Sequence, residues 1–169
     1  NQARTVPTTD TVIIGGYRVT RTGRESGMKS PYVKSTIVVD PTNTATSHLL
    51  RETRTGAEDQ LALIRAEAEV LRQIGNHEGI YRLLAADHDT LPTRLLVDYL
   101  QVPLVDDGGV QAERTGSFFD YKKLWRRMSG LISAVSHIHS RNYLVSSISP
   151  TTVFLKDEKL IIGELMSVI

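Results

Sequence analysis

Residues 144–166 read LVSSISPTTVFLKDEKLIIGELM, and this stretch decides the prediction of the fold. It begins with a polar, serine-rich segment, which is typical of a loop. Two short runs of apolar and β-branched residues follow, and they predict two short strands joined by a turn. The second strand closes on Gly163-Glu164-Leu165. The stretch therefore predicts a loop followed by a strand pair.

Two amphipathic helices are predicted upstream of this stretch. Residues 57–74, AEDQLALIRAEAEVLRQI, and residues 117–140, SFFDYKKLWRRMSGLISAVSHIHS, repeat apolar residues at spacings of three or four. Gly75-Asn76 ends the first helix. In the second helix one continuous apolar stripe is expected, formed by Phe118, Tyr121, Leu124, Trp125, Met128, Leu131, Ile132, Val135 and Ile138.

Five segments rich in β-branched and aromatic residues predict strands, at 12–22, 32–39, 45–51, 80–87 and 93–100. With the first helix they predict an α+β unit whose antiparallel sheet has five strands. The polar, glycine-containing residues 101–116 predict a linker. The predicted domains are a flexible tail at 1–11, the α+β unit at 12–100, the linker at 101–116 and a mainly helical unit at 117–169.

Composition excludes several classes of function. The 20 basic and 19 acidic residues leave a net charge of +1, which indicates neither a nucleic-acid partner nor a membrane partner. The absence of cysteine excludes disulfides and thiolate metal sites, and it fits an intracellular protein. The sequence ends on the apolar residues 165–169, so we expect the natural protein to continue.

The order and spacing of these elements resemble a protein kinase domain, from its N-terminal lobe through the hinge to the metal-binding segment of its C-terminal lobe. Residues 66–71, AEAEVL, followed by 76–83, NHEGIYRL, are similar to kinase helix C and its exit into the fourth strand. Residues 137–144, HIHSRNYL, with Ser149-Pro150 and Val153-Phe154-Leu155, are similar to the end of helix E, the catalytic loop and the strand beyond. The resemblance implies a bilobal kinase-like fold, truncated within the C-terminal lobe.

The resemblance also implies where the nucleotide-binding groups of a kinase belong, and most of them are changed here. In the glycine-rich loop Gly23 and Gly27 remain, but Glu25 replaces the middle glycine, and its carboxylate would repel phosphate. A surface β-turn is the alternative interpretation of these glycines.

The strand lysine of a kinase has Leu49 at its position, counted from the turn at residues 40–43. Glu67 matches the glutamate of helix C, and without a lysine we expect it to be only a surface carboxylate. Lys34 is the alternative cation, because the with-no-lysine kinases, which this arrangement resembles, supply their lysine from the second strand.

The catalytic loop carries the most extensive changes. Val145-Ser146-Ser147 replaces His-Arg-Asp, while Ser149 and Thr152 replace the lysine and the asparagine. Ser147 cannot accept a proton as a carboxylate can, and hydroxyls are weak ligands for Mg²⁺. The metal-binding triplet reads Glu164-Leu165-Met166, in which Glu164 is a weak candidate ligand. We expect no catalytic residue, no metal site and no ATP or Mg²⁺ cofactor.

Compared with the kinase pattern, this sequence keeps apolar residues at the apolar positions but has lost the polar residues of the catalytic positions. The resemblance assigns Leu71, Leu83, Val145 and Leu165 to the hydrophobic stack that links the two lobes of active kinases. In the remnant of the adenine pocket, Val97 is apolar but Ser47 replaces a small apolar residue. Phe154 stands where an aliphatic residue underlies the base, and its ring has the size to fill the space of the adenine.

These changes predict a pseudokinase: a non-catalytic interaction, scaffold or allosteric module whose partner is a protein, a larger assembly or an active kinase. The linker at 101–116 and the basic residues Lys122, Lys123, Arg126 and Arg127 are candidate docking sites, and a solvated helix face is the competing interpretation. Three different functions stay open as well. Two of them, an atypical active kinase and a nucleotide-binding pseudokinase, would use Lys34, Glu67 and Glu164, and the third is a simple α+β binding domain.

Two locations remain open at this point. An intracellular, cytoplasmic protein is expected from the composition. The segments Gly23-Arg24-Glu25 and Pro31-Tyr32-Val33 are also similar to the secreted rhoptry pseudokinases of apicomplexan parasites, which makes a secreted protein the alternative.

Overall fold

The computed structural model describes residues 10–26, 32–87, 92–100, 121–145, 148–150, 152–163 and 165. The elements are β1 (Thr11–Ile14), β2 (Tyr17–Glu25), β3 (Val33–Asp40), β4 (Asn43–Thr53), α1 (Glu58–Ile74), β5 (Leu83–Asp87), β6 (Arg94–Asp98), α2 (Tyr121–His139), β7 (Val153–Lys156) and β8 (Lys159–Ile162). The α+β class is confirmed. The chain forms two compact units, Asn1–Ala68 with Leu83–Tyr99 and Glu69–Arg82 with Leu100–Ile169.

The first unit contains a six-stranded antiparallel sheet in the order β1-β2-β3-β4-β6-β5. The prediction of five strands is wrong, because the segment predicted as one strand at 12–22 is a hairpin. Its turn is Gly15-Gly16, with φ angles of 52° and 84°, and Ile14 pairs with Tyr17 across it. Positive φ at both central residues is the geometry of a two-residue hairpin turn, and glycine adopts it without strain.

The core of this sheet draws on all six strands. Seven buried side chains form it: Val12, Ile14, Val19, Val38, Leu50, Ala85 and Leu96. The sheet is curled, since β1 and β5 are its two edges, yet a Cβ on Gly15 would lie 2.6 Å from the Cβ of Ala85. This close approach requires glycine at position 15.

Strand β4 has two different faces. Side chains alternate along a strand, so Leu50 and Glu52 lie on one face and Leu49 and Arg51 on the other. Leu50 belongs to the curled core, whereas Arg51 contacts α1 through Glu67. Both faces of the C-terminal half of β4 are buried.

In the second unit, α2 packs against the β7–β8 hairpin. The hairpin turn is formed by Asp157 and Glu158, both with positive φ, of 49° and 64°. Beside the hairpin, Ile80 forms a parallel bridge with Ile162. The predicted strand pair at the end of the chain is therefore confirmed, as is the long helix before it.

The prediction of one continuous stripe on α2 is wrong. Leu131, Ala134 and Ile138 are buried, but apolar residues at neighbouring positions are exposed by 40–86%, namely Tyr121, Trp125, Met128 and Ile132. Apolar residues cover more of the circumference than one packed face can bury, so the periodicity predicts the helix without predicting which side is buried. Phe118 lies outside the described residues.

Candidate functional site

A buried ion pair joins β4 to α1 in the first unit. The Nη1 group of Arg51 donates a hydrogen bond to Oε1 of Glu67, and the two side chains are 2% and 0% exposed. Glu67 follows Ile64 by one helical turn and precedes Ala68, both fully buried, so it lies on the packed side of α1. Arginine suits such a site because its guanidinium stays charged when buried.

Two expectations about this region are corrected by the ion pair. Glu67 is not a surface carboxylate, since it is among the largest fully buried side chains. The cation that meets it is Arg51, two residues beyond Leu49, and not a residue of β3. Leu49 is itself buried and pairs with Val97 across β4 and β6, while Ser47 is half-buried and pairs with Val39.

On the opposite face of β4, Glu52 joins two further arginines. Its Oε1 accepts hydrogen bonds from Nη2 of Arg21 at 2.6 Å and from Nε of Arg94 at 3.1 Å. Arg21 also lies 3.5 Å from Asp10. These links tie β2, β4 and β6 together across the sheet. They hold the strands in register and leave none of the named carboxylates unpaired.

The region compared with a glycine-rich loop is part of β2. Gly23 has a φ of 75°, and the pairing of β2 with β3 shifts between Arg21 and Glu25. Glu25 pairs with Thr36 and lies 3.8 Å from Nζ of Lys34, whose side chain is 47% exposed. Lys34 thus contacts Glu25 at the surface and is not the partner of Glu67. Gly27 lies outside the described residues.

A hollow of about 420 Å³ lies between the β1–β2 turn and the β3–β4 turn. Tyr17 and His48 line it, with their rings edge-to-face at a centroid distance of 6.4 Å. Asp40 lines it too, and hydrogen bonds from the hydroxyl and the backbone N–H of Thr42 lower the pKa of this carboxyl. No pattern in the sequence indicates a role for these residues as a group.

In the second unit, Phe154 occupies a closely packed position. Its side chain is 2% exposed. A Cβ built on Gly163 would overlap two ring carbons of Phe154 and would lie 2.8 Å from a methyl group of Leu100. The ring therefore fills the space above Gly163, where only a residue without a side chain fits.

The polar groups of the loop before β7 bond to one another. The hydroxyl of Thr152 accepts the backbone N–H of Ser149 at 3.0 Å and lies 3.2 Å from the Ser149 hydroxyl. The backbone N–H groups of Thr152 and Val153 donate to the carbonyl of Ser149. The Thr152 hydroxyl thus acts as a local cap of the turn, and Ser149 starts it.

Several predicted site residues lie outside the described part of the chain. They are Gly27, Ser147, Glu164 and the linker at 101–116. Of the predicted basic docking residues, Arg127 is not on the surface: it is 4% exposed, and its Nη2 donates to Oε2 of Glu158 at 2.5 Å. Lys122 and Arg126 are exposed beside Tyr121 and Trp125, around an open hollow of about 540 Å³.

Comparisons with known proteins give no family for this chain: no family model matches it, and no curated protein matches it. Among the described residues, no group of three or more histidine, aspartate or glutamate side chains is arranged to hold a metal ion. Within the same residues, neither helix combines the length and the apolar character needed to cross a bilayer. Function is therefore argued from the two units themselves.

Proposed function

We propose that this chain belongs to a kinase-like module that has lost phosphoryl transfer and acts by binding other proteins. The observation that carries the proposal is the Arg51–Glu67 pair. In a kinase, a strand lysine pairs both with a helix glutamate and with the nucleotide phosphates. Here the cation that meets Glu67 is Arg51, two residues beyond Leu49, and both side chains are buried, so the pair serves to hold β4 against α1.

The neighbouring positions support the same proposal. Thr152, which stands at the position of the kinase asparagine, uses its hydroxyl to close a turn. Phe154, at the position beneath the adenine, is packed against Gly163. An active kinase using Lys34 and Glu67 is less well supported, because Lys34 lies against Glu25 and Glu67 is paired with Arg51.

The exposed apolar residues of α2 support a role in binding. Tyr121, Trp125, Met128 and Ile132 follow one another at spacings of three and four, so they share one side of the helix. Exposed apolar patches of this kind commonly mark protein contacts. We propose a protein partner, such as an active kinase or a larger assembly, and an intracellular location in keeping with the absence of cysteine.

The proposal is tested by nucleotide binding and by phosphoryl transfer together. A ligand that binds only the folded protein raises the melting temperature once its concentration exceeds the dissociation constant. We expect ATP at about 100 times a typical kinase dissociation constant, with and without Mg²⁺, to leave the melting temperature unchanged. We also expect no transfer of labelled phosphate to a generic protein substrate.

The matched variant is Arg51→Lys, which places a lysine opposite Glu67, as in the lysine–glutamate pair of an active kinase. We expect it to remain inactive, because the base and the metal ligands are still absent. A magnesium-dependent shift of the native chain, abolished by Lys34→Ala, would support the nucleotide-binding alternative. Phosphate transfer by the native chain would overturn the proposal.

A further inference from the structure

Two histidines lie side by side in the second unit. His77 belongs to the turn after α1, and His137 lies on α2. Their ring centroids are 4.9 Å apart and the rings are tilted by 32°. The proposed function assigns no role to either imidazole.

The hydrogen bonds of His77 define where its proton resides. The backbone N–H of Gly79 donates to Nδ1 of His77 at 3.0 Å. A backbone N–H only donates, so Nδ1 must carry no proton. The proton of the neutral ring is then on Nε2, which lies 3.2 Å from the hydroxyl oxygen of Ser133 on α2. His77 thus bridges its own turn and α2 only while it is neutral.

His137 is arranged differently. Its Nε2 lies 2.9 Å from the carbonyl oxygen of Ile74, the last residue of α1. A carbonyl only accepts, so this nitrogen carries a proton and caps the end of α1. His137 keeps that hydrogen bond whether or not its other nitrogen is protonated. Of the two histidines, only His77 loses a bond when it gains a proton.

We propose that His77 is an acid-sensitive latch, which holds the turn at residues 75–80 on α2 when neutral and releases it when Nδ1 is protonated. Protonation places an N–H group opposite the N–H of Gly79, which replaces an attraction by a repulsion. It also creates a positive charge beside the ring of His137. The latch acts on the protein's own packing and does not depend on nucleotide binding.

The packing around the latch explains why its release matters. A Cβ on Gly79 would lie 2.8 Å from the Cβ of Ala134 and 3.3 Å from the carbonyl oxygen of Gly130, so the turn lies close against α2. The carbonyl of Gly79 accepts the N–H of Ile162 of β8, and the N–H of Tyr81 donates to the carbonyl of Ile162. Loosening the turn therefore weakens the contact of α2 and of β8 with the same segment.

The charged groups facing His77 favour its neutral form on balance. Burial is the largest effect, His137 on α2 adds to it, and together they lower the pKa of His77. Glu78 in the turn itself acts in the opposite direction. Its carboxylate is drawn to Lys159 of β8 by a hydrogen bond of 2.6 Å. A lowered pKa in the folded state means that stability is full above the ordinary histidine pKa and falls as the pH drops below it.

The test is the pH dependence of unfolding of the full chain, compared with that of His77→Asn. Asparagine offers an oxygen at the position of Nδ1 and does not titrate, so it keeps the acceptor for Gly79. We expect the folding constant of the native chain to fall as the pH drops from about 7 to about 5, by at most about tenfold per pH unit for one proton. We expect His77→Asn to remove this fall. The control is His139→Asn, at the exposed histidine that ends α2, and this variant should keep the fall in stability at low pH.

A second measurement uses the native chain alone, so it remains informative if His77→Asn does not fold. The ring protons of His77 in the native chain, followed by NMR, should titrate below the ordinary histidine pKa of about 6.5. The amide of Gly79 should shift with the same midpoint. Titration of His77 at or above the ordinary value, or an unchanged pH dependence in His77→Asn, would overturn the latch. Neither outcome bears on nucleotide binding.

Discussion

Arg51 in the first unit and Arg127 in the second are both buried, but they meet their glutamates in different surroundings. Arg51 pairs with Glu67, which is fully buried, whereas Arg127 pairs with Glu158, whose side chain is 62% exposed. Water competes for the second pair and not for the first. The comparison indicates that the burial of the acid, more than that of the arginine, determines how strongly each unit depends on its ion pair.

The largest effect is expected for Glu67→Ala. Removing one partner of a buried pair leaves the other charge without compensation, so we expect the free energy of unfolding to fall by about 3–5 kcal/mol. Urea unfolding measures the change. The double variant Arg51→Met with Glu67→Leu is the control, since replacing both charges by apolar groups of similar size costs little. Equal losses in both variants would show that packing, and not charge, is what α1 requires.

Glu158→Ala should have a smaller effect, a loss of about 1–2 kcal/mol, because solvent partly replaces the lost carboxylate. Within the described residues, Nε of Arg127 has no hydrogen-bond partner, so the Glu158 contact supports this guanidinium. Raising the salt concentration to about 1 M should weaken this pair while leaving Arg51–Glu67 nearly unaffected. A loss as large as that of Glu67→Ala would contradict the comparison.

Asp157→Gly distinguishes the strain of the β7–β8 turn from the contribution of the Arg127–Glu158 ion pair. Asp157 has a φ of 49°, so glycine relieves strain without touching Arg127, and we expect a gain of about 0.5–1 kcal/mol. Glu158→Gly relieves the neighbouring φ of 64° but removes the carboxylate, so it should destabilise the protein. Thermal unfolding of the two variants side by side gives the sign of each change. Stabilisation by both would mean that the Arg127 contact contributes nothing.

The smallest effect is expected where both partners are exposed. In the Lys159–Glu78 pair the side chains are 58% and 71% exposed, so Lys159→Ala should lower neutral-pH stability only slightly. The hydrogen bond from Lys159 lowers the pKa of Glu78. The small contribution of the pair to folding stability is therefore present above the ordinary glutamate pKa. It is lost as the pH falls through the lowered pKa of Glu78 in the folded state. NMR titration of Glu78 should show its pKa rising in the variant.

The sequence predicted most elements of the fold and few of the contacts in the candidate site. Periodicity was sufficient for α1, for α2 and for the strands, because burial of one face determines the spacing of apolar residues. It missed the Gly15-Gly16 turn, where a two-residue hairpin interrupts an otherwise continuous β-rich run. Two adjacent glycines inside such a run are the signal that indicates the turn.

Counting from the turn at residues 40–43 points to Leu49 and does not predict the Arg51–Glu67 pair. The sequence contains a better signal. Glu67 lies between apolar residues on the buried side of α1, and Arg51 follows two leucines in a strand. Opposite charges on two apolar faces are expected to contact each other, since a buried charge needs a partner. Contacts such as that between His77 and Gly79 depend on tertiary packing and have no comparable signal.

The short strand β1 has a consequence for aggregation. Edge strands expose backbone groups that can pair with other chains, and short edges limit this hazard. The edges of the first unit's sheet, β1 and β5, have four and five residues, whereas the interior β4 has eleven. Deleting β1 would turn the nine residues of β2 into an edge and uncover Val19 and Leu50. The four residues before the Gly15-Gly16 turn thus protect the sheet from recruiting strands of neighbouring molecules.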